Sequence, residues 1–519
     1  MARTLPRLLD EQDPRAPALV FEATEGRQTR LLFGDVQALS RRAAAWLLAQ
    51  GVLPGDRVAT VLPQHPVAPI VHLAALRVGA MAVPLSPLFG PDGLGTRLAD
   101  AAPALIVADA QRKDVVGQAI GSRSRRPVLA TVSSHESFFA SLPSEGRLPE
   151  DPRDADAPAF LLYTSGTTAV PKGALLPHRV IDGRLPALRL VHDPLPAEGD
   201  LFWSPADWSW IGGLHDALLA PWALGVPVFA YGRRSRFDAA EACARIARAG
   251  VRNAFLPPTA LRAFLAQGGE PPPLRSLHTA GEPLPEAVRR EASARWNLSP
   301  VEVYGLTECA FLVGGAARAW TRRAGCTGKA YPGHDVRVIA EDGARCAPGE
   351  EGELAVAAPD PTLMLGYWRG PDRPPILPLA EGLLRTGDLA RADEDGYLRV
   401  LGRRDDVIKS AGYRIGPAEV ESILLAHPSV AECAVVGLPD ETRGQAVAAY
   451  VVPRNGSGSA DLQQALCDLV RERLGAHARP QRVEFVAELP RTATGKLRRA
   501  ALRDQASSRR ETADDRRAS

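Results

Sequence analysis

Apolar positions along the first half of the chain follow two alternating rhythms. Residues 36–51 (VQALSRRAAAWLLAQG) space their apolar side chains as a helix does and end on Gly51, a helix-stop signal. The run GDRVATVLP then predicts a short strand, a helix passes through Leu73–Leu76, and MAVPL predicts a second strand. ALIVAD, RPVLATV and FLLYTS continue the series. A helix near Ala217–Leu224 leads into VPVFAY, and a helix over Ala239–Gly250 leads into NAFLPP. Strands alternating with helices predict parallel sheets covered by helices.

The pattern changes after about Gly325. VRVIA, GELAVA and YLRVLG are separated by DG and GE turn signals, as in a small antiparallel sheet or barrel. Beyond Arg403 it changes again. A helix at PAEVESILLAH, strands at AECAVVGLP and VAAYVVP, a helix at ADLQQALCDLVRERLG and a strand at RVEFVAELP predict an α+β unit. The expectation is an α/β protein with a large N-terminal domain over 1–402, holding parallel-type sheets and a small β subdomain. An α+β C-terminal domain follows over 403–505, with a boundary near Arg403–Asp406. The polar stretch from about Asp504, 506–519 above all, is expected to be a disordered tail.

Composition narrows the function classes. The 519 residues suffice for two to four folding units, and 45% hydrophobic with 24% charged residues is an ordinary globular balance. A formal charge of +2 advertises neither a nucleic-acid nor a membrane surface. Six cysteines without a C-x-x-C pair or an adjoining His cluster read as reduced thiols of a cytoplasmic protein. The charged N-terminus lacks the apolar segment of a signal peptide. The apolar region Val71–Phe89 contains His72, Arg77, Pro84 and Pro87, and so reads as a buried helix running into a strand.

The most chemical segment is Tyr163-Thr164-Ser165-Gly166-Thr167-Thr168-Ala169-Val170-Pro171-Lys172-Gly173, directly after the apolar run AFLL. Small hydroxyl and glycine residues let N–H and O–H groups approach phosphate oxygens closely, and Lys172 adds positive charge. The spacing is not G-x-x-x-x-G-K-[ST], so the P-loop class finds no support. Ala280-Gly281-Glu282-Pro283-Leu284, Tyr304-Gly305-Leu306-Thr307-Glu308, Arg385-Thr386-Gly387-Asp388, Gly402-Arg403-Arg404-Asp405-Asp406, Lys409–Ile415 and Pro490–Lys496 follow in order. Each alone is also what an ordinary turn looks like, since Gly-Asp and Thr-Gly are common turn chemistry.

Taken together and in this order, these segments resemble the motifs of the adenylate-forming superfamily, in its acyl-CoA synthetase branch and nearest to acetyl- and medium-chain acyl-CoA synthetases. The resemblance implies ATP and AMP contacts from Thr164, Ser165, Gly166, Thr167, Thr168, Lys172, Gly281, Glu282, Pro283, Tyr304, Asp388, Arg403 and Arg414. It implies that Thr307 touches phosphate, that Glu308 holds Mg²⁺, and that Asp388 takes the ribose hydroxyls. It makes Asp405 the hinge of a mobile C-terminal domain. Ser410, Gly412 and Tyr413 would line the coenzyme A tunnel, and Lys496 would assist adenylation. One departure is Ala169, where the family usually has glycine; it narrows the backbone freedom of the phosphate loop.

The implied reaction is AMP-forming ligation of a carboxylic acid to coenzyme A. Its expected cofactors are ATP, Mg²⁺ and coenzyme A as a substrate, with no nucleic-acid partner and no integral membrane contact. The alternative is a stand-alone adenylation enzyme that loads a carrier protein, and more distantly a luciferase-like oxygenase or a non-catalytic binder. An amino-acid substrate needs a carboxylate for its ammonium. Counting back from Gly225 puts Gly212 there, with Asp207 nearby. Trp208, Trp210 and Ile211 are candidates for an acyl pocket. Acetate-specific relatives carry a Trp where this chain has Gly305, so the expected acid is larger than acetate, a medium-chain fatty acid or an aryl acid.

Overall fold

The computed structural model describes residues 3–121, 126–144, 148, 154–164, 171–232, 237–268, 270, 272–410, 413–440, 443–476, 478–491 and 497–506. A nine-stranded sheet has a parallel centre. Val301–Tyr304, Ser276–Ala280, Asn253–Phe255, Phe202–Trp203, Val228–Tyr231 and Pro17–Glu22 lie side by side in that order. Antiparallel strands close both of its edges. In a second, seven-stranded sheet Pro158–Thr164, Met81–Pro84, Arg57–Val61, Leu105–Asp109 and Val128–Val132 run parallel. Lys172–Pro177 turns back antiparallel on Pro158–Thr164, with Gly366–Tyr367 outside it.

The two sheets share one apolar core. It takes Val58, Ala82 and Phe160 from the second sheet and Leu19, Phe202, Phe255 and Val303 from the first. The helices Phe33–Ala49, Val67–Arg77 and Arg179–Val191 fill the space between them. Val67–Arg77 is buried along its whole length. That is why its sequence is nearly uniformly apolar instead of striped. Among the described residues no helix is long and apolar enough to cross a membrane.

Val336–Ile339, Glu351–Ala357, Leu383–Ala392 and Leu398–Arg403 form an antiparallel five-stranded sheet with Leu379–Ala380. From Ile408 onward the chain builds a fourth sheet around the long pair Val430–Asp440 and Gly444–Pro453, packed against the helices Pro417–Leu424 and Ala460–Leu474. The expected fold class, a large N-terminal α/β part with a β subdomain and a smaller α+β part, is the one observed.

Two elements differ from expectation. Gly212–Leu219 is a π-helix that becomes α-helical only at Ala220–Ala223. Pro221 offers no N–H to the Ala217 carbonyl, which breaks the α ladder at that turn. The polar C-terminal stretch also begins later than its composition predicts. Residues 499–506 are helical, with Leu502 and Ala506 buried against the strand pair. Residues 507–519 lie outside the described residues.

Candidate active site

Parallel strands bring their carboxyl ends to one edge of a sheet, and ligands of open α/β folds sit in the crevice outside that edge. Here two neighbouring strands end at Ala280 and Tyr304, and each is followed by a tight turn. Gly281 takes φ +91°, a conformation that only glycine adopts without strain. Glu302 ties the two turns together. It accepts from Leu284 N (3.1 Å) and from Arg289 Nη2 (2.7 Å), and so fixes the Gly281-Glu282-Pro283 loop against the next strand. Neither Glu302 nor Arg289 lies in a motif that stands out in the sequence.

After Tyr304 the chain folds back. Leu306 N donates to Cys309 O (2.9 Å) and Leu312 N to Tyr304 O (3.0 Å), which places Thr307 and Glu308 at the tip of the turn. Two contacts then fix what this loop presents. Tyr304 Oη donates to Asp388 Oδ2 at 2.6 Å. Tyr367 Oη donates to Glu308 Oε1 at 2.7 Å. Burial first, and the adjacent carboxylate second, raise both phenols above their ordinary range, so both remain donors at neutral pH.

Tyr367 sits on the strand beside Lys172–Pro177, and Lys172 Nζ lies 5.3 Å from the centre of its ring. One side chain thus bridges the Glu308 turn of the first sheet and the end of the hydroxyl loop of the second. Thr164 Oγ1 donates to Lys172 O (3.4 Å) across the neck of that loop. Ser165, Gly166, Thr167 and Thr168 lie outside the described residues.

Asp388 is held from the other side. Its N–H donates to Thr386 Oγ1 (3.1 Å), and Arg403 Nη1 donates to Thr386 O (3.0 Å) at 3.8 Å from the Asp388 carboxylate. Gly387, at φ +76°, passes so close under Arg403 that a Cβ would come within 3.2 Å of Nη2. Asp405 is exposed in the short turn Arg404–Asp406, whereas Asp406 pairs with Arg503 (3.1 Å) of the C-terminal helix. Ser410 is buried and pairs with Gly444. Tyr413 and Arg414 lie on the strand Tyr413–Ile415, but their side chains, together with Gly412 and Lys496, fall outside the described residues.

The segment from Ser204 to Ile211 is pinned as a loop. Gln64 Nε2 donates to Ser204 O (2.9 Å) and Ala206 O (2.6 Å). Asp207 accepts from Ser86 Oγ and Ser209 N (both 3.0 Å). Those bonds engage both Asp207 oxygens, one with the loop backbone at Ser209 and the other with the Ser86 hydroxyl. Trp208 is buried, Trp210 is half-buried edge-on to Phe89 (6.0 Å), and Ile211 packs against the main core.

Gly305 requires a correction. A Cβ there would meet Phe311 N at 2.6 Å and the Ala310 backbone at 3.1 Å. The room expected beside Gly305 is occupied by the returning chain, so this glycine permits a close backbone approach instead of opening a channel. Gly212 is similar, with Phe255 Cε1 at 2.7 Å. The Phe255 ring therefore stands where a side chain at 212 would be, and the backbone of Ala310 and Phe311 where one at 305 would be.

The carboxylate–phenol pairs, the flanking Lys172 and Arg403, and the glycine turns meet where the carboxyl ends of the first sheet face the start of Lys172–Pro177. Residues 9–368 match the family described as AMP-binding enzyme, and 419–496 match AMP-binding enzyme C-terminal domain. A 4-hydroxybutyrate–CoA ligase from Metallosphaera sedula is 32% identical over 95% of this chain and 88% of its own length. An acetyl-coenzyme A synthetase from Pyrobaculum aerophilum is 32% identical over 88% of this chain and 75% of its own. The solved anthranilate CoA ligase AuaEII, in complex with anthranoyl-AMP, superimposes with a TM-score of 0.87 at 25% identity, covering 97% of each chain.

Proposed function

The chain belongs to the AMP-binding enzyme family, as an ATP-dependent acid–thiol ligase of the acyl-CoA synthetase branch, and from that premise we propose that it activates a carboxylic acid larger than acetate. The observation that carries the adenylate-forming part of this reading is the strand Val301–Tyr304 with the turn after it, where Tyr304 meets Asp388 and Glu308 meets Tyr367.

In this reading the acid's carboxylate attacks the α-phosphorus of ATP, pyrophosphate leaves, and the thiol of coenzyme A then displaces AMP from the mixed anhydride. Both steps depend on positioning and on neutralising spreading negative charge. Asp388, fixed by Tyr304 and Thr386, accepts the ribose hydroxyls. Lys172 and Thr307 serve the phosphates together with the hydroxyls of residues 164–168, and Arg403 serves the nucleotide. The donor set fits Mg²⁺. Glu308 supplies one carboxylate, and Mg²⁺ bound to nucleotide takes one or two protein carboxylates, with phosphates and water completing its shell. The ion would supply charge neutralisation at the phosphates. Tyr367 orients the Glu308 carboxylate for it.

The C-terminal part, from 403 on, turns about Asp405 between the two steps. It presents Lys496 to the first step and the Ser410–Tyr413 loop to the second. The acid lies between the Trp210-Ile211-Gly212 loop and Phe311. Relatives named for acids larger than acetate support this size, namely 4-hydroxybutyrate–CoA ligase and an anthranilate ligase.

The test is a panel of acids assayed for AMP and pyrophosphate release with and without coenzyme A. Medium-chain or aryl acids should outrun acetate and yield a thioester only with coenzyme A. Preference for acetate would overturn the size assignment. Turnover without coenzyme A but with a carrier protein would overturn the acceptor.

A further inference from the structure

A line of buried polar groups runs beneath the acid-binding region and ends on an unpaired atom. It starts at Arg275, which is bound to Asp200 (2.8 Å). With the Asn253 amide oriented to satisfy both its ends, Nδ2 donates to Asp200 Oδ1, and the amide oxygen accepts from Arg275 Nη2 and Ser276 Oγ, all at 2.8 Å. Ser276 has then spent its proton, so His192 Nδ1–H donates to Ser276 Oγ (2.6 Å). His192 Nε2 is left as an acceptor and takes the proton of His278 Nδ1 (2.8 Å). Burial pushes the His278 imidazole down to about 3 and His192 well below its usual range, so both rings are neutral. This bookkeeping of protons leaves His278 Nε2 as a bare lone pair, fully buried and without a partner among the described residues.

His278 lies beside the segments that bound the acid in the proposed reading. It shares a face of its strand with Ala280, two residues further on and directly before the Gly281 turn. Its ring stacks on Phe255 at 4.8 Å, the ring that abuts Gly212. Another ring neighbour is Phe311 at 5.6 Å, whose backbone N closes over Gly305. This buried acceptor therefore lies near the two segments that bound the proposed acyl site, beside aromatic rings that offer it no hydrogen bond. A buried acceptor left unpaired is costly, and a ligand that brings a donor removes the cost.

We propose that His278 Nε2 selects an acid whose tail carries a hydroxyl or another hydrogen-bond donor, so that the substrate class is a hydroxylated medium-chain or aryl acid. This rests on the reading of the site as an acyl-CoA synthetase for acids larger than acetate. Hydroxylated and plain acids of equal size are compared as pairs in the coenzyme A-dependent assay: para-hydroxybenzoate against benzoate, and ω-hydroxyhexanoate against hexanoate. The wild type favours the hydroxylated member of at least one pair by about 10- to 100-fold in kcat/KM. His278→Phe, which keeps the ring and removes both nitrogens, brings that ratio to one or below.

The ratio does not depend on how much active enzyme survives the substitution, and the wild-type comparison stands without the variant. Equal use of both members of every pair, or faster use of the plain acids, overturns the role of His278 and leaves the size reading intact. An unchanged ratio in His278→Phe also overturns it. Use of acetate alone overturns both readings.

Discussion

Tyr367 belongs to no motif that stands out in the sequence, yet it donates to Glu308 from 59 residues away and carries Lys172 on its ring face. Its removal is therefore informative. Tyr367→Phe keeps the ring and deletes one hydrogen bond to a charged partner, a change of about 1.5–3 kcal/mol. The apparent KM for Mg·ATP should rise by about 10- to 100-fold, with acid KM little changed. Equal effects on both substrates would place Tyr367 outside the nucleotide site. Glu308→Gln should weaken Mg·ATP use further, since a neutral amide coordinates Mg²⁺ poorly. Glu308, Tyr304 and Asp388 were legible in the chain because each sits in a short ordered motif. Tyr367, Glu302, Arg289 and His278 were not, because their pairing exists only once distant strands meet. Gly305 was legible as a site residue, but the direction its missing side chain would take was not.

The elements were legible wherever an apolar run has turn residues at both ends, as at ALIVAD and NAFLPP. A helix was anticipated near Ala217–Leu224, but not its earlier start at Gly212 nor the π-helix over Gly212–Leu219, because local spacing does not encode how closely its first turn packs. At Gly213 a Cβ would lie 2.2 Å from Asp207 O and 2.7 Å from Ala206 O, both of them backbone atoms. Gly213→Ala must therefore displace the loop that precedes the π-helix, from Ser204 to Ile211, whereas at Gly90 a Cβ meets nothing within 4 Å. Thermal unfolding should show Gly213→Ala destabilised by about 1–3 kcal/mol, the usual cost of overpacking, with Gly90→Ala near wild type. Matching melting temperatures for the two variants would mean that the loop yields freely and does not define the acyl site. The helix over 499–506 escaped the sequence reading because only two of its residues, Leu502 and Ala506, carry its burial.

At the scale of the whole molecule, six histidines are held below their ordinary value, mainly by burial: His65 at about 4, His72 and His278 at about 3, and His135, His192 and His215. In each the folded state binds its proton less readily than the unfolded chain. The stability they contribute is thus complete above the unfolded value of about 6.5 and is lost as pH falls toward the folded values. Each adds a slope of up to about 1.4 kcal/mol per pH unit in that window. Asp216, raised by burial to about 6 despite Arg184, opposes them by one proton. The melting temperature should accordingly drop steeply below about pH 6.5, before ordinary carboxylates titrate. A flat profile down to about pH 5 would show that these histidines are not buried neutral.

The alternation of the C-terminal part has its own test. Lys496→Ala should slow acyl-adenylate formation by about 10²–10³-fold, the scale for losing one transition-state donor, while thioester formation from pre-made acyl-adenylate is spared. Equal loss in both steps would leave Lys496 without a chemical role. The central claim, that the turn carrying Tyr304 and Glu308 builds an acyl-adenylate, is tested most directly by exchange of labelled pyrophosphate into ATP without coenzyme A. The account predicts exchange that requires a carboxylic acid and falls steeply in both Glu308→Gln and Asp388→Ala. Exchange that needs no acid, or that survives both substitutions at limiting ATP, would contradict it.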